Sequence, residues 1–468
     1  MFDVFITYQA RLQPDRNAVV TPGGSLTFGE LDVMINRFAR ALAEVGIPGN
    51  AIVAVRVGNA VTHWLVLLGL SRLGIASACA ADAAASFRID DQEPPEGGHV
   101  FYASDAWVSA TWAGSGEAVS VGRLPVSGLG RVLLSSGTTG QPKRVGLDWA
   151  MIDANVRNAV LVYGGGAGSP WLVEMGIDTV FGFTVPLAAW AAGHAVHVRG
   201  GADLVDTLLR SPVGLLGMIP LQLADTLERL PKRFRPLPGC RLIMTGGRLS
   251  AALAQEARLR LTPDVRLVYG ASECGIATMA DAAWLGEHAG VAGYAVPGVT
   301  VEIVDDAGRP VGAGVQGLVR IRSNRVVGRY LDAGSGAFRD GGFYPGDLGK
   351  LFEDGLLVVD GRADDLMNLG GVKVLPGVVE AALLACPGVA DVAAFAVPTA
   401  AGLHQCWVAL VRGAGFDQDA VVGQVAASLP WLPPLRLVAV ERLPRNAMGK
   451  VERAALVAAA LDGGLLVG

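Results

Sequence analysis

Residues 133–143 read Leu-Leu-Ser-Ser-Gly-Thr-Thr-Gly-Gln-Pro-Lys, an apolar strand that runs into a loop of glycines and small hydroxylated residues and ends in a lysine. In such a loop, backbone N–H groups and hydroxyls can surround phosphate oxygens while the lysine offsets their charge. The loop lacks the Gly-Lys-Ser/Thr ending of P-loop NTPases. It therefore predicts phosphate binding of another kind, with a flexible polar linker as the alternative interpretation.

Four later segments carry polar residues in a similar setting. They are 269–273 (Tyr-Gly-Ala-Ser-Glu), 342–347 (Gly-Phe-Tyr-Pro-Gly-Asp), 361–364 (Gly-Arg-Ala-Asp) and 443–450 (Leu-Pro-Arg-Asn-Ala-Met-Gly-Lys). Each one alone is compatible with an ordinary turn. All five in this order are a far more specific signal than any single one.

The hydrophobic pattern alternates between strands and helices. Residues 27–30 (Thr-Phe-Gly-Glu) fit a capping box that opens a helix, and residues 51–57 are a β-branched run typical of a buried strand. A helix is expected over 60–73, and further strands at 131–135, 195–198, 241–244 and 265–269. This alternation predicts parallel sheets covered on both faces by helices.

The character of the chain changes twice towards the C-terminus. Residues 298–360 are β-rich runs broken by Gly and Pro, as in antiparallel hairpins. After Arg362 a small α+β unit is expected, with helices at 376–385 and 418–428 and strands near 389–397, 406–411 and 435–440.

Length and composition bound the class of protein. A chain of 468 residues with 51% hydrophobic residues predicts a globular protein of two or three domains. The net charge of −5 excludes a wholly basic nucleic-acid footprint, so no nucleic-acid partner is expected. The apolar runs 65–81 and 179–198 are interrupted by Arg72 and Pro186, and no integral membrane span is expected.

Cysteine usage and the N-terminus bear on the compartment. The five cysteines are scattered without a Cys-x-x-Cys pair, which indicates neither a disulfide framework nor a zinc site. The first residues lack a cationic stretch followed by an apolar one, as a secretory signal would have. A cytoplasmic location is therefore expected.

Together the five segments resemble, in order and over nearly the whole chain, the motifs of the AMP-forming adenylating superfamily of acyl- and aryl-CoA synthetases, nonribosomal-peptide adenylation domains and luciferases. The resemblance implies an α/β fold, with a large N-terminal domain (1–362) of stacked parallel-type sheets plus a β-barrel-like subdomain. A small, mobile α+β C-terminal domain (363–468) would follow, with the hinge near Asp364.

The resemblance also implies the reaction. A carboxylate attacks the α-phosphate of Mg·ATP to give an acyl-AMP and pyrophosphate, and a thiol then takes the acyl group. The thiol would belong to CoA or to the phosphopantetheine of a carrier protein. The physical requirement is electrostatic, because two anions must approach and the growing negative charge must be offset.

Residue roles follow from the same resemblance. The loop on the β- and γ-phosphates would comprise Ser135, Ser136, Gly137, Thr138, Thr139, Gly140 and Lys143. Glu273 would hold Mg²⁺, Ser272 would touch the α-phosphate, and Lys450 would bridge the substrate carboxylate and the α-phosphate. Adenine and ribose would be held by Tyr269 with Gly270, by Gly246 and Gly247, and by Asp347 with Arg362.

The chain departs from the family pattern at several positions. Arg144 follows the loop where glycine is usual, and it is expected either to aid phosphate binding or to point to solvent. Lys373 stands where arginine is commoner and loses bidentate geometry. Gly377 replaces a frequent glutamate. None of these changes removes a core catalytic group.

The identity of the acid is left open by the sequence. Asp178, Phe183, Ile219 and Thr245 are candidates for the substrate pocket. A pocket Asp178 would favour an acid bearing an amine or hydroxyl, because an unpaired buried carboxylate is costly. Alternatively, Asp178 caps the following helix, and the apolar candidates are plain core.

Three functions are compatible with the sequence. The leading one is an ATP- and Mg²⁺-dependent acid–thiol ligase acting on a small carboxylic acid. The second is a freestanding amino-acid adenylation enzyme that loads a carrier protein in trans. The third is a catalytically degenerate nucleotide-binding relative, against which the intact Thr139, Glu273, Asp347 and Lys450 argue.

Overall fold

The computed structural model describes residues 2–93, 99–117, 128–135, 142–164, 168–332, 336–399, 403–446 and 449–464. Ser136, Gly137, Thr138, Thr139 and Gly140 lie outside these ranges, so the phosphate-binding role expected of them stays a prediction. Ser135 and Lys143, which flank them, are described.

Helices are distributed along the whole chain. In the described ranges the α-helices are α1 (Val4–Leu12), α2 (Phe28–Glu44), α3 (Ala60–Arg72), α4 (Asp105–Ala113), α5 (Trp149–Tyr163), α6 (Val180–Ala191), α7 (Leu204–Arg210), α8 (Pro220–Arg229), α9 (Ala251–Arg260), α10 (Pro376–Leu384), α11 (Gln418–Ser428) and α12 (Arg453–Leu461). Thr27 caps α2, and its side chain and that of Glu30 form the predicted capping box.

Strands alternate with these helices. Over the same ranges they are β1 (Asn17–Thr21), β2 (Gly24–Thr27), β3 (Ile52–Arg56), β4 (Ala76–Ala78), β5 (Phe87–Asp90), β6 (Val100–Tyr102), β7 (Leu129–Ser135), β8 (Lys143–Asp148), β9 (Trp171–Val173), β10 (Val196–His197), β11 (Leu215–Met218), β12 (Arg241–Met244), β13 (Asp264–Ala271), β14 (Gly275–Asp281), β15 (Val291–Ala295), β16 (Val299–Val304), β17 (Gly317–Ser323), β18 (Phe338–Arg339), β19 (Gly342–Phe343), β20 (Asp347–Leu351), β21 (Leu357–Arg362), β22 (Met367–Leu369), β23 (Val372–Val374), β24 (Val389–Pro398), β25 (His404–Arg412) and β26 (Arg436–Ala439).

A six-stranded sheet carries the loop that opened the sequence analysis. Its order is β6-β5-β3-β4-β7-β8, and it is parallel except for the last pair. β7 and β8 are antiparallel, with Ser135 opposite Lys143. The two ends of the loop are therefore held together by the ladder, whatever the loop itself binds.

The largest sheet has a parallel half and an antiparallel half. β10, β9, β11, β12 and β13 are parallel neighbours, and β13 then pairs antiparallel with β14. The order continues through β15 into β21, β20, β17 and the hairpin β18–β19. The strands expected to form a β-barrel-like subdomain are thus an antiparallel array that extends the large sheet.

The C-terminal residues form a small α+β unit. β24, β25 and β26 make a three-stranded sheet, and β22–β23 is a separate hairpin. α10 and α11 cover one apolar cluster that contains Val379, Val408 and Val425. α12 covers a second that contains Phe395 and Trp407.

The predicted α/β fold class is confirmed, and every helix and strand predicted above is present with small differences at its ends. The run 179–198 contains the buried helix α6 and strand β10, and the run 65–81 lies mostly in α3. Within the described residues no helix is both long and apolar enough to cross a bilayer. The domain boundary after Arg362 and the hinge at Asp364 remain predictions.

Candidate active site

A single large cavity of about 830 Å³ brings the distant motifs together. Its size lies within the range of small-molecule sites, about 300–1,000 Å³. The predicted site residues that line it are Ser135, Lys143, Thr245, Gly246, Gly247, Tyr269, Gly270, Ser272, Glu273, Asp347, Arg362, Asp364 and Lys450. They span 316 positions of sequence, from 135 to 450, so their convergence is a property of the fold.

The parallel strands explain why these segments meet. Thr245 follows the carboxyl end of β12, and Tyr269 lies in the last residues of β13 beside it. Carboxyl ends of parallel strands lie along one edge of a sheet, where such folds bind ligands. Gly270 is required there, since a Cβ at this position would lie 2.1 Å from the carbonyl oxygen of Gly275.

Glu273 is held by an aromatic partner that the sequence did not indicate. Tyr330 donates its hydroxyl hydrogen to Glu273 Oε1 over 2.8 Å, and the ring carries Lys143 Nζ 5.0 Å from its centroid. Burial and the neighbouring Glu273 carboxylate raise the pKa of Tyr330, which keeps the phenol protonated as a donor. The loop lysine and the predicted metal ligand thus share one neighbour.

Tyr269 and Asp347 form the second polar pair. Tyr269 donates its hydroxyl hydrogen to Asp347 Oδ2 over 2.6 Å, while Arg362 Nη1 lies 3.5 Å from Oδ1 of the same carboxylate. Burial first and the Asp347 charge second raise the pKa of Tyr269 well above its ordinary value. Arg362 also contacts Asp364, with 3.2 Å between Nη2 and Oδ2.

Arg445 and Gly449, close to the terminal lysine in sequence, are held by described contacts. Arg445 pairs with Asp391 at 2.7 Å and donates to the Gly449 carbonyl at 2.8 Å. A Cβ at Gly449 would lie 3.1 Å from Ile219 Cδ1, so Gly449 packs against the residue that follows β11. Lys450 lines the same cavity as Asp347 and Glu273.

The structure supports neither interpretation of Asp178. Its carboxylate pairs with Arg131 at 3.0 Å and accepts from the Ala80 N–H, and it is not among the described residues that line the cavity. Thr179, not Asp178, caps α6. Arg131 is fully buried, and this desolvation lowers its pKa while the Asp178 charge opposes the shift. The carboxylate is therefore committed to a structural cation.

Two of the other predicted pocket residues also lie elsewhere. Phe183 is buried between the Arg131 guanidinium, 4.6 Å from its ring centroid, and Trp64, which stacks on it at 5.8 Å. Ile219 faces the turn at Gly449 rather than the cavity lining. Of the four candidates, Thr245 lines the cavity.

Arg144 follows neither expectation. Its guanidinium holds the buried Asp82 carboxylate, with Nε 3.0 Å from Oδ1 and Nη2 3.0 Å from Oδ2. The Arg144 backbone carbonyl accepts from Leu331 N at 3.0 Å. Arg144 therefore ties β8 to the segment that presents Tyr330.

Gly377 has a similar explanation. The Arg248 guanidinium occupies the space that a side chain at 377 would need, with Nη1 2.3 Å from the position of a Cβ there. Arg248 lines the cavity and donates to the Asp360 carbonyl. Burial lowers its pKa.

Glu273 is the cavity carboxylate that would hold a Mg²⁺ brought in with a nucleotide. Within the described residues there is no cluster of three or more metal-ligating side chains. Mg²⁺ bound to nucleotides typically uses one or two carboxylates, with phosphate oxygens and water completing the shell. Glu273, with one oxygen bonded to Tyr330, supplies one such carboxylate.

Family models match most of the chain. The model described as AMP-binding enzyme matches residues 6–92 and 130–331. The model described as AMP-binding enzyme C-terminal domain matches residues 378–450. The chain belongs to the AMP-binding enzyme family. The predicted family and enzyme class, an AMP-forming acid–thiol ligase, are therefore confirmed.

Individual proteins are similar over nearly their whole length. The indoleacetate–CoA ligase of Aromatoleum aromaticum is 28% identical, over 96% of each chain. The 2-succinylbenzoate–CoA ligase of Geobacillus kaustophilus is 26% identical, also over 96% of each. The crystal structure of ATP-bound MatB from Rhodopseudomonas palustris has the same fold, with a TM-score of 0.85, 24% identity and coverage of 98% and 99%.

Proposed function

We propose that this chain activates a small carboxylic acid with ATP, releasing pyrophosphate, and transfers the acyl group from the acyl-AMP to the thiol of CoA. One observation carries the proposal: Lys450, from the C-terminal unit, lines the same cavity as Ser272, Glu273 and Asp347 of the large sheet. No single segment supplies all the charges this reaction needs, and the fold gathers them in one place.

The residues divide the work of the first step. Ser135 and Lys143 would hold the outer phosphates, and Asp347 with Arg362 would hold the ribose beside the Tyr269 ring. Lys450 would lie between the substrate carboxylate and the α-phosphate, lowering the repulsion between two anions. Mg²⁺, held by Glu273, would neutralise phosphate charge when bound.

The second step, transfer of the acyl group to the thiol, requires Lys450 to move out of the cavity. We place the hinge at Asp364, two residues after the end of β21, where a few residues at the end of an element can absorb the dihedral change of domain closure. The β22–β23 hairpin, which includes Lys373, would then approach the site. Its glycines, Gly370 and Gly371, have positive φ and leave room for a thiol-bearing arm.

CoA is favoured as acceptor by the two ligases that are similar over 96% of their length. An amino-acid substrate is disfavoured by Asp178, because the carboxylate that would pair with an α-ammonium is neutralised by Arg131. No observation favours a degenerate relative, since Glu273, Asp347 and Lys450 meet at one cavity.

Acid-dependent exchange of labelled pyrophosphate into ATP tests the first step. A panel of aryl, alkyl and amino acids should contain acids that support exchange, followed by thioester formation with CoA. Exchange with no acid would contradict the proposal. Exchange followed by acyl transfer to a carrier protein but not to CoA would contradict the proposal that CoA is the acyl acceptor.

A further inference from the structure

One face of α5 projects into the cavity away from the nucleotide motifs. Asn155, Ala159 and Tyr163 are spaced four residues apart on this helix and all line the cavity. Tyr163 packs against Trp171, the first residue of β9, with ring centroids 6.4 Å apart.

Strand register shows how far this end lies from the nucleotide end. Trp171 pairs with Leu215, which pairs with Arg241 at the start of β12. Thr245 comes four residues later, about 13 Å along the strand at roughly 3.3 Å per residue. The cavity thus runs beside the parallel sheet from the carboxyl ends of its strands towards their amino ends.

Unpartnered polar atoms mark this inner end. The Tyr163 hydroxyl and both amide atoms of Asn155 have no hydrogen-bond partner within the described residues, although the side chains are only 1% and 4% exposed. Buried polar groups in proteins are nearly always bonded, so unpartnered atoms on side chains whose residues line a cavity indicate a partner that the bound molecule brings.

A buried arginine, Arg325, lies next to Asn155 at this end of the cavity. Arg325 is 3% exposed, and Nη2 donates to the Ile276 carbonyl at 3.1 Å. A Cβ at Gly275 would lie 3.4 Å from Arg325 Nη1 and 2.3 Å from Asn155 Oδ1, so these side chains meet at Gly275. No carboxylate among the described residues forms an ion pair with Arg325. Burial lowers its pKa, and its charge opposes the burial-raised pKa of Tyr163.

The rest of this compartment is apolar. Met175, Val180, Phe181, Val185 and Ile276 line it, with Thr184 as a further polar group. An apolar pocket with a few convergent polar groups is typical of a site that holds one small molecule in one orientation.

We propose that the inner end of this cavity selects acids that carry a second oxygen acceptor, a carbonyl or a carboxylate, remote from the reacting carboxylate. The Asn155 amide and the Tyr163 hydroxyl are the donors available to this remote group, and the Arg325 charge makes an acceptor more favourable than a donor. This inference rests on the proposed function, because the oxygen in question belongs to the carboxylic acid that the enzyme would activate.

Shape-matched acids test it. One series is 5-methylhexanoate, 5-oxohexanoate and glutarate; the other is 4-isopropylphenylacetate, 4-acetylphenylacetate and 4-carboxyphenylacetate. Within a series only the remote group changes, from isopropyl to acetyl to carboxylate, at nearly constant volume. With the wild-type protein, the acetyl or the carboxylate member of at least one series should exceed its isopropyl partner at least tenfold in kcat/KM for pyrophosphate release.

Variants assign the preference to the residues. Tyr163→Phe and Asn155→Leu should each lower kcat/KM for the preferred oxygen-bearing acid about tenfold or more and leave or raise it for the isopropyl acid. Tyr163→Phe should not lower the unfolding temperature, since the hydroxyl has no partner. Asn158→Leu is the matched control: Asn158 is a buried amide on the same helix that does not line the cavity, its Nδ2 donates to the Pro297 carbonyl, and its replacement should leave the preference intact.

Equal or better use of the isopropyl acids by the wild-type protein would overturn this inference while leaving the proposed function in place. A preference that survives both Tyr163→Phe and Asn155→Leu would overturn the assigned residues. Pyrophosphate release with no acid at all would overturn the proposed function, and this inference with it.

Discussion

Tyr269 and Asp347 are joined by a hydrogen bond of 2.6 Å, from the phenol to Oδ2, across the cavity edge where β13 ends and β20 begins. The bond fixes the position of a carboxylate that the family resemblance assigns to the ribose. It also keeps the aromatic ring beside that position.

Substitutions at Tyr269 and Asp347 distinguish the supporting hydrogen bond from the proposed ribose contact. Tyr269→Phe keeps the ring and retains Asp347, so we expect the KM for ATP to rise by less than about tenfold, as for one lost hydrogen bond of about 1 kcal/mol. Asp347→Ala should raise it far more, because the ribose acceptor itself is lost. Initial rates against ATP concentration measure both. Equal effects of the two variants would contradict the assignment of the carboxylate to the ribose.

Tyr330 is expected to act through Glu273. Tyr330→Phe keeps the ring under Lys143 but removes the bond to Glu273 Oε1, and loss of such a supporting bond typically weakens metal binding 10–100-fold. The Mg²⁺ concentration for half-maximal pyrophosphate exchange should rise accordingly, with little change at saturating Mg²⁺. A lower rate at every Mg²⁺ concentration with an unchanged midpoint would show that the tyrosine serves the fold alone.

The Asp82–Arg144 pair should contribute to stability far more than a surface pair. Asp82→Asn leaves the Arg144 guanidinium, 14% exposed, without its counter-ion, and breaking a buried pair in this way costs about 3–5 kcal/mol. Urea unfolding measures the change. The control is Asp153→Asn, which breaks the exposed i,i+4 pair with Arg157 and should cost about 0.5 kcal/mol or less. Similar losses from both would contradict the structural role of Arg144.

His63 predicts how stability depends on pH. Burial, reinforced by the Arg131 charge, lowers its pKa from 6.5 to about 4. Between pH 6.5 and pH 4, His63 is therefore protonated in the unfolded chain but mostly neutral in the folded chain. The free energy of unfolding falls as the pH is lowered through this window. The loss attributable to His63 approaches about 3 kcal/mol at pH 4, at 1.36 kcal/mol per pKa unit.

Unfolding at pH 7 and pH 4 tests this pH dependence. His63→Gln should lose about 3 kcal/mol less than the wild type over the interval. His404→Gln, a substitution at an exposed position of β25, should lose as much as the wild type does. Identical pH dependence of the wild type and His63→Gln would contradict the prediction.

The motifs that carry the family resemblance identified residues that the fold brings to one cavity. Such a motif, for example a strand followed by a glycine-rich loop or a glutamate three residues after a glycine, is complete within a few residues of one segment. Thr245, Tyr269, Glu273, Asp347 and Lys450 could therefore be found from the sequence, and they line one cavity.

The supporting contacts could not be found in this way, because each joins segments far apart in the chain. Asp178 and Arg131 are 47 positions apart, Tyr330 and Glu273 are 57 apart, and Arg144 and Asp82 are 62 apart. When the ion-pair partner of a charged residue is not known, the sequence suggests that the charge is free to bind a ligand. For this reason the sequence offers Asp178 as a substrate-pocket or helix-capping candidate, and gives no signal for Tyr330, Asp82 or Arg325.

The most direct test of the central claim separates the two half-reactions of Lys450→Ala. Acid-dependent pyrophosphate exchange measures adenylate formation, and conversion of a synthetic acyl-AMP to the CoA thioester measures transfer. We predict that Lys450→Ala abolishes exchange while thioester formation from the supplied adenylate continues near the wild-type rate. Equal loss of both reactions, or undiminished exchange, would contradict the account.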